Sequence, residues 1–137
     1  AITKADYALR IADCYRLSND TAYTSWYKEV IETHKKNSSC DRSERQQSKP
    51  LFQIALSYYW LGNYMQSSVW FEKIIISQNI DSQNFNISKN DVEQALYYCG
   101  KSYYYFQDFK NAEKYLSEYL QIKGDTLDVI QLIERCK

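Results

Sequence analysis

The sequence predicts an all-α fold, and three observations carry that reading. The 137 residues hold three glycines and one proline, too few for the turns a β-sandwich or barrel needs every ten residues or so. Apolar residues recur at helical spacing in segments separated by polar stretches. Those segments also resemble one another, so one small unit is used three times. A chain of this length is one domain's worth and buries roughly two thirds of its unfolded surface in a single core.

The first helix is expected over 2–17, where Ala8, Ile11, Ala12 and Tyr15 share a face. The second is expected over 21–34, with Thr24 and Ile31 facing inward. Over 48–61, Leu51, Ile54, Ala55 and Tyr58 repeat the first pattern, and Pro50 suits the first turn, where its missing N–H has no partner. The fourth, 64–78, carries Tyr64, Ser67, Phe71 and Ile74. Leu96, Cys99, Gly100 and Tyr103 mark the fifth over 91–106, and Phe109, Ala112, Leu116 and Tyr119 the sixth over 109–122. The last, 126–136, has Leu127, Ile130 and Ile133 on one side, with Asp125, Thr126 and Asp128 offering acceptors and negative charge at its start. The polar inserts 35–47 and 79–90 read as loops in preference to extended second helices.

In each block the small residue of the first helix (Ala12, Ala55, Gly100) precedes that of the second (Thr24, Ser67, Ala112) by the same twelve positions. A small side chain on each helix lets two antiparallel helices approach closely, and an aromatic one turn away fills the space beside them. The pattern resembles the tetratricopeptide repeat, with its W-x2-L-G-x2-Y…A-x3-F…P signature, over roughly residues 2–123. Lys28 stands where that signature has an aromatic, and Gly124 where it has the closing proline. The small residues of successive first helices are 43 and 45 apart, against the family's 34. The resemblance implies a single domain, a right-handed α-solenoid of three helix pairs (2–34, 48–78, 91–123) whose open end is capped by a helix over 125–136.

Composition excludes several functions. Seventeen basic and seventeen acidic residues cancel, leaving no electrostatic footprint for nucleic acid. No run of 18 apolar residues is present and the N-terminus is not a signal peptide, so direct membrane insertion is not expected. The chain does not begin with Met, which points to a mature or trimmed piece of something longer. Cys14, Cys40, Cys99 and Cys136 are scattered, without metal-ligand spacing, and Cys14 and Cys99 read as buried thiols on apolar faces. The single histidine, His34, reads as a solvated or C-capping residue at a helix end. No phosphate loop, HExxH or calcium loop occurs. The expectation is a non-catalytic chain with no cofactor and no metal.

The aromatics are more informative. Fourteen tyrosines, five phenylalanines and three tryptophans exceed what packing needs. Tyr15, Tyr58, Tyr103, Tyr64 and Phe71 are read as packing residues. The resemblance implies that the first helices line a concave face and that ligands bind there. Asp6, Leu9, Asp13, Arg16, Lys49 and Gln94 would then border it, and the candidate partner-binding residues are Phe52, Leu56, Tyr59, Trp60, Tyr97, Lys101, Tyr104 and Tyr105. Rigid amphipathic rings bury area at low entropic cost. The family's clamp for acidic chaperone tails maps to Leu9, Asp13, Gln53, Gln94 and Tyr98, none of them basic, so a peptide or protein surface with apolar anchors is expected instead. A second resemblance, of ADCYRLSND and SWYKEVIE to repeat modules in bacterial outer-membrane lipoproteins and their secretion machinery, implies the alternative role of a section of a larger envelope assembly. It would place the chain in the periplasm. Without it, a soluble chain of either cytoplasm or periplasm is expected.

Overall fold

The computed structural model describes residues 3–38, 48–80 and 87–137, and among them seven helices and no strand. They are α1 (Lys4–Leu17), α2 (Tyr23–Ser38), α3 (Ser48–Trp60), α4 (Tyr64–Ile80), α5 (Lys89–Tyr105), α6 (Phe109–Lys123) and α7 (Leu127–Cys136). Helices adjacent in sequence are adjacent in space, from α1 on α2 through to α6 on α7, and α3 also touches α5. The chain is all-α, built of neighbouring helix pairs. The inserts are partly helical: α2 runs past the expected end to Ser38, α4 to Ile80, and α5 begins at Lys89. The rest of both inserts, 39–47 and 81–86, lies outside the described residues.

Three hairpin turns share one design. Each first helix ends with a residue in the left-handed region: Asn19 (φ 60°), Gly62 (φ 81°) and Gln107 (φ 72°). In each turn this residue's N–H returns to a carbonyl three back (Arg16, Tyr59, Tyr104), and the next N–H reaches five back, to Tyr15, Tyr58 and Tyr103, at 2.9 Å each. The residue after it is Asp20, Asn63 or Asp108, and its side chain accepts an N–H at the entry to the next helix, from Ala22 just ahead of α2, Gln66 in α4 and Asn111 in α6. α1 starts on a capping box, Thr3 Oγ1 accepting the Asp6 N–H at 3.1 Å while Asp6 Oδ2 accepts the Thr3 N–H at 2.9 Å.

The first hairpin departs in one respect that corrects the expected register. Tyr23 N–H bonds to Asp20 O at 3.3 Å and Thr24 N–H to Thr21 O at 3.2 Å, so the entry to α2 is wound three residues per turn. The helix is thereby rotated. Tyr27, not Lys28, takes the buried place that Phe71 and Leu116 hold in the later pairs; all three are 0 % exposed, and Lys28 is exposed.

The core lies between the second and third pairs, where Ala55, Phe71, Ile74, Ala95, Leu96 and Cys99 meet. Except for Thr24, which the rotation of α2 leaves half-buried, the small residues do what their spacing predicts. Ala12 and Ala55 are fully buried, and a Cβ on Gly100 would sit 2.6 Å from Leu116 Cγ. Ser67 Oγ donates to Ala55 O at 3.1 Å and Ser102 Oγ to Ser67 Oγ at 3.1 Å, which satisfies hydroxyls buried between the pairs.

Three smaller expectations are corrected. Cys14 is exposed, because no helix lies ahead of α1 among the described residues. α7 turns Val129 fully inward and leaves Leu127 71 % exposed, so its apolar face is centred one residue-step from the Leu127–Ile130–Ile133 line. The Thr126 hydroxyl donates to Gly124 O at 3.2 Å instead of capping α7.

Candidate partner-binding face

Tyr59, in the last turn of α3, is the hub of the aromatic cluster. Its ring meets Trp60, Tyr98 and Tyr64 edge-on, with centroids 4.9, 5.0 and 5.5 Å away, and Tyr105 at 6.4 Å. Edge-to-face rings set a positive rim against a negative face, worth about 0.5–1.5 kcal/mol per pair beyond area burial. Tyr59 was expected on the open surface. It is 5 % exposed and belongs to the core, because Tyr98 and Tyr64 close over it.

The other candidates are more open. Trp60 is half-buried, with the Arg16 guanidinium 3.7 Å over its ring. Arg16 is itself held by Tyr27, whose hydroxyl accepts the Arg16 Nε–H at 2.9 Å and donates to Asp13. Tyr97 packs on Tyr98 and Tyr119, each at 5.3 Å, and its hydroxyl donates to Asp128 at 3.4 Å. Lys101 extends its ammonium over three rings, 5.0 Å from Tyr97 and 5.9 Å from both Tyr59 and Tyr105. Tyr105 is 45 % exposed and lies 4.8 Å from Tyr64. Tyr104 packs on Tyr105 and Phe109, both at 5.7 Å. Phe52 and Leu56 sit deeper, half-buried against the core, with Phe52 edge-on to Phe71 at 5.5 Å.

Trp60, Tyr97, Lys101 and Tyr105 are therefore joined through Tyr59 and Tyr98, while Phe52 lies deeper, reaching Tyr98 only by way of Phe71, and Leu56 packs against the core. Tyr98, named from sequence only as a clamp position, belongs with the candidate residues. It stacks on Phe71 at 5.8 Å and joins Tyr59, Trp60 and Tyr97. Its signal was present: Tyr98 precedes Lys101 by three and Tyr105 by seven, on one stripe of α5. Tyr64 was read as packing alone, yet it borders Tyr105 on this face.

No family model matches the chain. No curated protein matches it either.

Burial, and then the neighbouring Tyr105, pushes the Tyr59 phenol far above its ordinary value of 10.0. Tyr64, Tyr97 and Tyr98 are also raised, chiefly by burial. These hydroxyls stay protonated at neutral pH, so the face offers neutral O–H groups, flat rings, one ammonium and one guanidinium. Such rings offer flat apolar area with polar tips. Among the described residues, no three His, Cys, Asp or Glu come together to hold a metal, and no helix is long and apolar enough to cross a membrane.

Asp6 and Gln53, expected near the groove, serve instead to join the first two pairs. Asp6 accepts the Thr3 N–H, Gln53 Nε2–H at 2.7 Å and Lys49 Nζ at 3.0 Å, and Gln53 Oε1 lies 2.7 Å from His34 Nε2. His34 is therefore half-buried at a helix junction, not solvated. The Thr3 backbone N–H first, then Gln53, holds the Asp6 carboxyl well below the usual carboxylate range.

Two hollows lie off the aromatic face. One, of about 470 Å³, is lined by Thr24, Lys28, Ile31, Tyr58 and Leu61 among others. The second, of about 430 Å³, lies between α1 and α2 and is lined by Lys4, Tyr7, Ala8, Ser25, Trp26 and Glu29.

Proposed function

We propose that this chain is a non-catalytic interaction scaffold of the tetratricopeptide type, a right-handed stack of three helix pairs capped by α7, which binds a peptide or partner surface on the aromatic face. The observation that carries the reading is the linked set Trp60, Tyr98, Tyr97, Lys101 and Tyr105, which spans α3 and α5 and remains partly open to solvent. A face that served packing alone would close these rings in the way Tyr59 is closed. The three matching hairpin turns support the repeat reading, since one turn design recurs 43 and 45 residues apart.

The test is affinity capture from lysate of the source cells with the native chain and a Trp60→Ala/Tyr104→Ala variant. Tyr59 is left intact because it is core. Each truncation is expected to weaken a captured partner by about 1–3 kcal/mol while the variant stays folded. Partners retained equally by both chains would remove the aromatic face from the account. Affinity is expected to change little with salt, because the chain is neutral overall.

A further inference from the structure

The second helix pair meets the third much as the first meets the second, and at one place the two junctions differ in chemistry. Tyr103 of α5 stands 45 residues after Tyr58 of α3, in the same register. Glu72 of α4 stands where Lys28 does on α2, each following the fully buried ring of its helix, Phe71 or Tyr27. Between α4 and α5 the Tyr103 hydroxyl donates to the Glu72 carboxylate, and the Phe106 ring lies 5.3 Å from that of Tyr103. Donor and acceptor satisfy each other there.

Between α2 and α3 the corresponding groups are a phenol and an ammonium. The Tyr58 hydroxyl accepts from Lys35 Nζ at 3.0 Å, which leaves its own O–H to donate. Lys28 is exposed, and no carboxylate among the described residues pairs with it. Leu61, smaller than a phenylalanine, stands in the place of Phe106. The result is the hollow of about 470 Å³, with Ile31 and Leu61 as apolar wall and Lys28, Lys35 and Tyr58 as polar wall. Its lining comes entirely from residues 24–63, on α2 and the passage from α3 into α4.

We propose that this hollow binds a small monocarboxylic acid with an apolar body. The carboxylate does for Tyr58 what Glu72 does for Tyr103, accepting the phenol O–H, and it also pairs with the Lys28 ammonium. The body of the ligand lies against Ile31 and Leu61. The volume falls in the range of small-molecule sites, about 300–1,000 Å³. Glu32, one turn on from Lys28, also lines the hollow and repels a second acid group, so dicarboxylates are disfavoured. This site shares no residue with the aromatic face and does not depend on it.

The probe is phenylbutyrate, titrated into the isotope-labelled whole chain and followed by backbone amide shifts. Shifts are expected at the hollow's own residues on α2 and at the end of α3, with a dissociation constant of about 0.1–1 mM. Phenylbutanol, of similar size and uncharged, should bind at least about tenfold more weakly, and so should the dicarboxylate phenylglutarate. Lys28→Glu installs the arrangement of the other junction and should abolish binding, while Lys28→Gln should weaken it about tenfold. Tyr58→Phe should weaken it about threefold or more. Lys28 is exposed, and matching circular dichroism melts establish that its variants are folded. Equal binding of phenylbutanol, affinity unchanged by Lys28→Gln, shifts centred on another part of the chain, or no shifts at about 10 mM would each overturn the proposal.

Discussion

Gly100 and Asp6 show how single residues hold the pairs together. The absent Cβ at Gly100 leaves room for Leu116, and a methyl group placed there meets Leu116 Cγ at 2.6 Å and its backbone N at 3.2 Å. The second contact cannot be relieved by a rotamer change. Gly100→Ala is therefore expected to lower the unfolding free energy by about 1–3 kcal/mol, read from urea denaturation, despite the better helix propensity of alanine. A gain in stability would mean α5 and α6 are not that close. Asp6 acts through charge. Its carboxyl is held ionised below its ordinary 3.8, so its stabilisation is complete above that value and is lost as pH falls from about 4 downward. Asp6→Asn should flatten this acid limb in melts at pH 5 and below; an unchanged limb would assign the acid sensitivity elsewhere. Sequence alone showed why Gly100 is small. It did not show the Asp6–Gln53–His34 chain, because such contacts join residues 47 and 19 positions apart that no local pattern relates.

At the scale of the helix and its turn, legibility follows how local the determining interaction is. The segments were readable because apolar spacing acts within one or two helical turns. Register within α2 was not. It is set by the tight Thr21–Ala22 entry, and neither residue announces a three-residue turn. The repeated left-handed position gives a direct test of turn design. Gly62 meets it without penalty, Asn19 tolerates it, and Gln107 at φ 72° carries a Cβ in a conformation that disfavours one. Gln107→Gly is expected to stabilise the fold by about 0.5–1 kcal/mol, and Asn19→Gly by less. Thermal melts compare the two, and destabilisation by Gln107→Gly would show that its side chain contributes more than the turn costs.

For the molecule as a whole, the ring network makes stability depend on alkali. Burial first, with the Glu72 hydrogen bond next for Tyr103, drives Tyr27, Tyr59, Tyr103 and Tyr115 well above 10.0. These phenols keep their protons in the fold after those of the unfolded chain are lost. Their contribution is complete below pH 10 and is lost as pH rises beyond it. Titration at 295 nm is expected to show one set of tyrosines ionising reversibly near pH 10 and a second only together with loss of helical dichroism. A single smooth titration of all fourteen would contradict the buried hub. The aromatic excess was visible in composition, and so was its place on α3 and α5. Which rings are hub and which are rim was not, because that depends on how α5 crosses α3. Tyr59 and Trp60 are neighbours in sequence, yet one is sealed and the other half-open.

The three tryptophans happen to be distributed one to a district. Trp60 lies beneath the Arg16 guanidinium at 3.7 Å, Trp70 near the Lys73 ammonium at 4.1 Å, and Trp26 lines the hollow beside Tyr7. An indole's excited state has a large dipole, so its emission colour responds to a nearby cation or to replaced water. Single-tryptophan variants thus turn the protein into its own two-channel fluorimeter. An occupant that lifts Arg16 changes the colour of Trp60 and leaves that of Trp26, in the hollow between α1 and α2, as it was.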